Sequence, residues 1–117
     1  MLFFSMLIVV VIIGGNNSCT KDKTSLSAAS CPDTISYSNQ IKPMIDLNCS
    51  TSGCHDATNS GGYNLTTYSN IAANANTILS VIKQEPGYSP MPLGGAQLAD
   101  SLIQQFECWV IQGKLEN

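Results

Sequence analysis

The residues best suited to chemistry lie in one octet, Asn48-Cys49-Ser50-Thr51-Ser52-Gly53-Cys54-His55. Two cysteines are followed at once by His55, the only histidine in the 117-residue chain. A haem attached by thioether bonds needs a thiol for each of its two vinyl groups and a neutral imidazole that reaches the iron. The usual signal is C-x-x-C-H, whereas four small or flexible residues separate Cys49 from Cys54 here. The octet therefore predicts covalent haem with His55 on the iron.

Two other interpretations of the octet remain open. Cys49 and Cys54 can form a small disulfide in an exported protein. They can also bind zinc, but a structural zinc site needs four protein ligands and a catalytic one usually three. Since the chain has one histidine, Cys31 or Cys108 would then have to join them.

A helix before the octet is expected to deliver the chain to Cys49. Ser36 or Ser38 can cap it, and Pro43 limits it to a short or kinked helix. Its apolar side is formed by Ile41, Met44 and Ile45, with Leu47 as a further candidate.

Beyond the octet, the pattern predicts loops and three more helices. Residues 56–64, which contain Gly61-Gly62, are predicted to be a turn-rich loop, and residues 85–95, which are rich in glycine and proline, to be a second loop. Residues 65–75 and 78–83 are predicted to form two short helices. The clearest helix is 100–112, which ends before Gly113 and carries an apolar stripe of Leu102, Ile103, Phe106, Trp109 and Val110.

The composition and the residue pattern argue against two classes of function, nucleic-acid binding and enzymatic activity. The net charge is −3, and the five basic residues are all lysines that form no cluster. Phosphate neutralisation needs a basic footprint, so we expect no nucleic-acid binding. No acid–base pair or nucleophile constellation is evident, so an enzyme is not expected.

The N-terminal region predicts export. Residues 2–13 are an apolar run, too short to span a bilayer but suited to a signal peptide. Ser18-Cys19 resembles the end of a bacterial lipoprotein signal, in which Cys19 would be lipidated; an ordinary cleaved signal is the alternative. We therefore expect a signal peptide at 1–18, a flexible tether at 19–35 and a folded domain at 36–117.

From Ser36 to Gly113 the chain resembles the small c-type cytochrome domains of exported bacterial proteins. The resemblance rests on segments in a particular order: Tyr37-Ser38-Asn39-Gln40-Ile41-Lys42-Pro43-Met44, the octet, Leu65-Thr66-Thr67-Tyr68, Ser89-Pro90-Met91-Pro92-Leu93-Gly94-Gly95 and Trp109-Val110-Ile111-Gln112-Gly113. It implies an all-α domain wrapped around one covalent haem c, with long loops. It also implies thioethers from Cys49 and Cys54, His55 as proximal ligand and a loop methionine as distal ligand.

Met91 matches that distal position. Pro90 and Pro92 restrict the backbone on both sides, so an irregular loop can still present a thioether in one place. Met44 and no distal ligand are the alternatives. The unusual spacing also leaves open whether one thioether forms or two.

Two cysteines remain when Cys19 carries lipid and the octet carries haem. A disulfide between Cys31 and Cys108 would tie the N-terminal segment to the last helix; two free or intermolecular thiols are the alternative.

These observations predict a lipid-anchored, one-haem electron-transfer protein of the periplasm or cell surface, held at the outer membrane and serving redox partner proteins. Two alternatives remain. The first is a disulfide-stapled lipoprotein that binds partners through Tyr63, Tyr68 and Tyr88 without haem. The second is a haem sensor or peroxidase-like site in which Met91 is displaced.

Overall fold

A computed structural model describes residues 30–31 and 33–117. In that part of the chain the secondary structure is helical and contains no strand, which confirms the all-α class. The expected signal peptide, the lipidation at Cys19 and most of the tether lie outside the described residues. Within the described ranges, no helix combines the length and apolar character needed to cross a membrane.

The helical segment before the octet begins as expected at a serine cap. The Ser36 side chain accepts a hydrogen bond from the backbone N–H of Asn39 at 3.2 Å. A π-helical turn over Tyr37–Ile41 leads directly into α1, Lys42–Asn48. Pro43 lies in the first turn of α1, where its missing N–H costs least.

One side of this segment is buried, as the pattern predicts. Ile41, Met44 and Ile45 are at most 4 % exposed. Leu47 is the exception, at 77 % exposed, and its candidacy as a core residue is wrong.

Helix α2, Tyr68–Ile82, replaces the two short helices expected over 65–75 and 78–83. The Thr67 side chain caps it by accepting from the N–H of Asn70 at 3.3 Å. No glycine or proline interrupts the sequence from 68 to 82, so the helical hydrogen bonds continue through Asn76 and Thr77. Its buried side is a single stripe of Ile71, Ala75, Ile78 and Ile82.

Helix α3, Asp100–Ile111, agrees with the predicted helix to one residue. Ile103, Phe106 and Trp109 are buried, while Leu102 and Val110 pack at the margin of the core. The left-handed backbone of Gly113, at φ 93°, ends the helix as expected. Cys108 and Glu107 are also buried, which the apolar stripe did not predict.

An aromatic cluster joins these elements. The rings of Tyr37 and Tyr68 meet edge to face with centroids 5.0 Å apart, and the Trp109 ring lies 6.0 Å from that of Tyr37. The last residues close over this cluster: the Trp109 indole N–H donates to the Leu115 carbonyl at 2.9 Å. The C-terminal segment therefore packs back against the start of the fold.

Residues 33 and 35 contact the C-terminal end of α3. Ile35 is 7 % exposed, and its N–H donates to the Gln112 side chain at 2.8 Å. The same side-chain amide donates to the Asp33 carbonyl at 2.7 Å. These contacts join residues 33 and 35, at the end of the expected tether, to the residue that caps the C-terminus of α3.

Candidate functional site

A cavity of about 470 Å³ brings together the residues singled out from the sequence. Cys49, Cys54 and His55 line it, and Met91 lines it from a loop 36 positions further along than His55. Its apolar walls come from the loop before α2, from α2 itself and from the segment before α3: Leu65, Ile78, Val81, Ile82 and Leu98. Thiols, an imidazole and a thioether thus converge on one space with apolar walls.

The imidazole of His55 is held in one orientation by a backbone carbonyl. Its Nδ1 lies 3.0 Å from the carbonyl oxygen of Tyr63. A carbonyl can only accept, so Nδ1 carries the proton and a neutral ring keeps the lone pair on Nε2. This hydrogen bond leaves Nε2 able to bind a metal ion and raises its basicity.

The backbone of His55 is fixed at both of its polar groups. Its N–H donates to the Cys49 carbonyl at 3.0 Å, and its carbonyl accepts from the N–H of Leu65 at 2.9 Å. The Ser50 hydroxyl donates to the Leu65 carbonyl at 2.8 Å. The segments before and after the histidine are therefore tied to each other.

The two thiols of the octet lie in unequal environments. Cys49 caps the C-terminus of α1, where its N–H donates to the Ile45 carbonyl at 2.8 Å, and its side chain is partly buried. Cys54 is exposed. Burial, followed by the nearby Cys54 sulfur, raises the pKa of the Cys49 thiol to about 11. It therefore stays protonated at neutral pH, a state in which thiols exchange slowly into disulfides.

The residues between the two cysteines of the octet form an outward loop. Thr51, Ser52 and Gly53 are exposed, and Gly53 has the left-handed φ of 80°. The Cys54 N–H donates to the Thr51 carbonyl at 3.0 Å, which closes the turn. Both sulfurs are unpaired, so the structure does not contain the alternative Cys49–Cys54 disulfide.

Met91 is held in the cavity wall by its own backbone. Its N–H donates to the Val81 carbonyl near the end of α2 at 3.1 Å, and the Met91–Pro92 bond is cis. Further along the loop, the Gln97 side-chain amide donates to the Ile82 carbonyl at 3.1 Å. The irregular segment between α2 and α3 is thus attached at two points to the end of α2.

Met44, the alternative distal ligand, lies elsewhere. It is 4 % exposed among the core residues and does not line the cavity. Of the two methionines weighed for the distal position, only Met91 shares a cavity with His55.

Cys31 and Cys108 form a disulfide, with Cα atoms 5.6 Å apart. They are therefore unavailable as further ligands to a zinc ion at the octet. Among residues 30–31 and 33–117, no group of three or more histidine, cysteine, aspartate or glutamate side chains is arranged to hold a metal ion. The disulfide disfavours the zinc interpretation, because that interpretation needs Cys31 or Cys108 as a further ligand.

Sequence reasoning did not identify Gly61, Tyr63 and Gln97 as parts of this site. Gly61 was assigned only to a turn, and Tyr63 acts through a carbonyl that every residue possesses. Gln97 acts through a side chain whose partner is a helix-end carbonyl far from it in sequence. No local pattern distinguishes such contacts.

Comparison of the chain with protein-family models, curated proteins and solved structures found no match.

Proposed function

We propose that this domain binds one covalent haem c and carries single electrons. The observation that carries the proposal is the convergence of Cys49, Cys54, His55 and Met91 on one cavity. These are the thiols, imidazole and thioether that a His/Met-ligated haem c requires. The volume of about 470 Å³ falls within the roughly 300–1,000 Å³ typical of cofactor and ligand sites.

Each residue has a distinct part in this proposal. The Cys49 and Cys54 thiols would anchor the ring at its two vinyl groups, and haem iron, when bound, supplies the Fe(III)/Fe(II) couple. Nε2 of His55 is the available proximal donor because Tyr63 holds the proton on Nδ1. Met91 would supply a thioether as the second iron ligand, and a Met/His pair raises the reduction potential.

The walls of the cavity suit electron transfer better than substrate chemistry. Within the described part of the chain its lining includes no lysine, arginine, aspartate or glutamate, and its Cys49, Cys54 and His55 side chains would be committed to haem. A hydrolytic or acid–base reaction would need a further titratable partner beside its substrate. An electron carrier needs only two axial ligands and a lining that excludes most water.

The N-terminal sequence supports a cellular location for this electron carrier. The apolar run at 2–13 and Ser18-Cys19 support an exported protein that is lipid-anchored to the outer membrane, facing the periplasm or the cell surface. Its partners would then be other redox proteins at that membrane. Mass spectrometry of the mature N-terminus tests this setting, which an unmodified Cys19 would contradict.

A visible spectrum of the full-length chain, expressed with haem-attachment machinery, tests the function. We expect a Soret band with sharp α and β bands on reduction, and retention of the haem after denaturation. His55→Ala should lose the low-spin spectrum, because the chain has no other histidine. Tyr88→Phe is the control, since Tyr88 is exposed and does not line the cavity.

The other outcomes separate the alternatives. A chain that takes up no haem under these conditions would contradict the proposal and favour the disulfide-stapled binding module. A high-spin ferric spectrum would favour a sensor or peroxidase-like site with Met91 displaced. An unchanged reduced spectrum in His55→Ala would remove His55 as the proximal ligand.

A further inference from the structure

Gly61 lies against the ring of His55 more closely than any other residue type would allow. A Cβ atom at this position would lie 2.6 Å from the Cys54 carbonyl oxygen and 3.0 Å from Cε1 of His55. Real Cβ atoms essentially never approach a neighbour within the shorter of these distances. The backbone of Gly61 is not in the left-handed region, so an alanine here would be opposed by these contacts and not by its own φ.

The position of this contact on the ring matters chemically. Cε1 is the carbon between the two ring nitrogens. It is flanked by Nδ1, which is hydrogen-bonded to the Tyr63 carbonyl, and by Nε2. Gly61 also donates its N–H to the Cys54 carbonyl at 2.7 Å, directly before His55. A methyl group at residue 61 would push on the ring and on its backbone together.

We propose that Gly61 is a positioning residue that keeps the His55 ring against the Tyr63 carbonyl and thereby holds its Nε2 unprotonated. A larger side chain at residue 61 would tilt the ring and lengthen the Nδ1–H···O hydrogen bond. The ring would then carry its proton on either nitrogen. The inference rests on the proposed function only for the identity of the group that Nε2 binds.

The tautomer can be measured without haem. His55 is the only histidine, so labelling the full-length chain with ¹⁵N-histidine yields a single pair of ring nitrogens, whose two- and three-bond couplings identify the protonated one. In the haem-free wild type at a pH where the ring is neutral, we expect the proton on Nδ1. Gly61→Ala should lower the ratio of Nδ1–H to Nε2–H by about fivefold, the change expected from losing one hydrogen bond.

Gly62→Asn is the matched control. Gly62 adopts φ +84° with no atom within 4 Å of a built Cβ, and asparagine tolerates this backbone, as Asn59 at φ 61° does in the same loop. We expect its tautomer ratio to equal that of the wild type. An equal ratio in Gly61→Ala, with near-ultraviolet circular dichroism showing a folded domain, would overturn the proposal.

The wild type can also overturn the proposal, whether or not Gly61→Ala folds. An Nε2-protonated ring in the folded wild type would do so, because the ring would then not donate to the Tyr63 carbonyl. In the haem-loaded protein, Gly61→Ala should raise the midpoint potential, because a less strongly hydrogen-bonded histidine donates less electron density to iron. A chain that binds no haem yet shows the expected tautomers would contradict the proposed function and leave the role of Gly61 standing.

Discussion

Met91 and Met44 show, at the scale of the residue, how two identical side chains acquire different tasks. Met44 follows the helical period of its neighbours and packs into the core at 4 % exposed. Met91 lies between two prolines in a segment without regular structure, and its N–H is committed to the Val81 carbonyl. The thioether that lines the cavity of His55 is therefore the one in the proline-flanked loop, and not the one buried in the core.

Met91→Ala is expected to change spin state and potential together. Loss of the thioether should give a high-spin or water-ligated ferric haem with a lower potential, since the ligand that favours Fe(II) is absent. The far-red ferric absorption of the iron–sulfur bond should disappear while the haem stays attached. Visible spectra and a redox titration measure these changes.

Met44→Ala is the matched control for that experiment. It should lower the free energy of unfolding by about 2–5 kcal/mol, as for other truncations of buried side chains, and leave spectrum and potential unchanged. If Met44→Ala altered the spectrum while Met91→Ala did not, the distal assignment would move to Met44.

Asp56 stabilises the loop that follows His55. Its carboxylate accepts hydrogen bonds from the hydroxyl and the N–H of Thr58 and from the N–H of Gly53, and the Thr58 hydroxyl contributes most to lowering its pKa. A carboxyl whose pKa is lower in the folded state stabilises the fold above its unfolded pKa of about 3.9. That stabilisation is lost as the pH falls through the lowered value.

Asp56→Asn should therefore destabilise the domain at neutral pH. The difference in stability between the variant and the wild type should close as the pH falls from about 4 through the lowered pKa of Asp56. Thermal unfolding from acid to neutral pH measures this. Asp33→Asn, an exposed carboxylate outside the loop, is the control and should differ little from the wild type. A gap of constant size across that pH range would show that the ionised carboxylate is not responsible.

At the scale of elements, amphipathic pattern and glycine predicted α3 and the loops well. The Ile103-Phe106-Trp109 stripe and the stop at Gly113 are local signals, and the structure agrees with both. The prediction of two helices in place of α2 was wrong: Asn76 and Thr77, which lie between the two predicted ranges, do not end a helix by themselves. Contacts between distant segments, such as Gln112 with Ile35, have no such signature.

A buried ion pair between α2 and α3 is one of these distant contacts. The ammonium of Lys83, at the C-terminal cap of α2, lies 2.7 Å from the carboxylate of Glu107, and their side chains are 20 % and 10 % exposed. Lys83→Ala would leave the Glu107 charge buried without its partner. We expect a loss of about 3 kcal/mol in the free energy of unfolding, at the low end for broken buried pairs because Lys83 keeps some exposure.

The double variant Lys83→Met/Glu107→Leu tests whether stability depends on the ion pair itself or only on leaving no unpaired buried charge. Replacing both charges with apolar groups of similar size should recover most of the stability, because no unpaired charge remains. Urea unfolding of the three proteins gives the comparison. A double variant as unstable as Lys83→Ala would show that the two helices need the ion pair itself.

At the scale of the whole molecule, the fold separates its covalent staple from its candidate haem site. The Cys31–Cys108 disulfide joins the entry of the domain to α3 across 77 residues. A second, smaller cavity lies beside Cys108 and Ile35, and it shares no lining residue with the cavity of His55. The elements that hold the ligands therefore differ from those that the disulfide secures.

Removing the disulfide should consequently weaken the fold and leave the site intact. A closed loop of this length corresponds to about 4 kcal/mol in the chain-entropy model, so Cys31→Ala/Cys108→Ala should lower the free energy of unfolding by up to that amount.

Peptide mapping of the unreduced wild type should recover the two cysteines linked. The visible spectrum and midpoint potential of the folded double variant should match the wild type, because His55 and Met91 are positioned by the octet loop and the end of α2. A shifted potential with full haem loading would mean that the disulfide affects the geometry of the site through α3. An unchanged free energy of unfolding would mean that packing of Ile35 and Gln112 alone secures the entry segment.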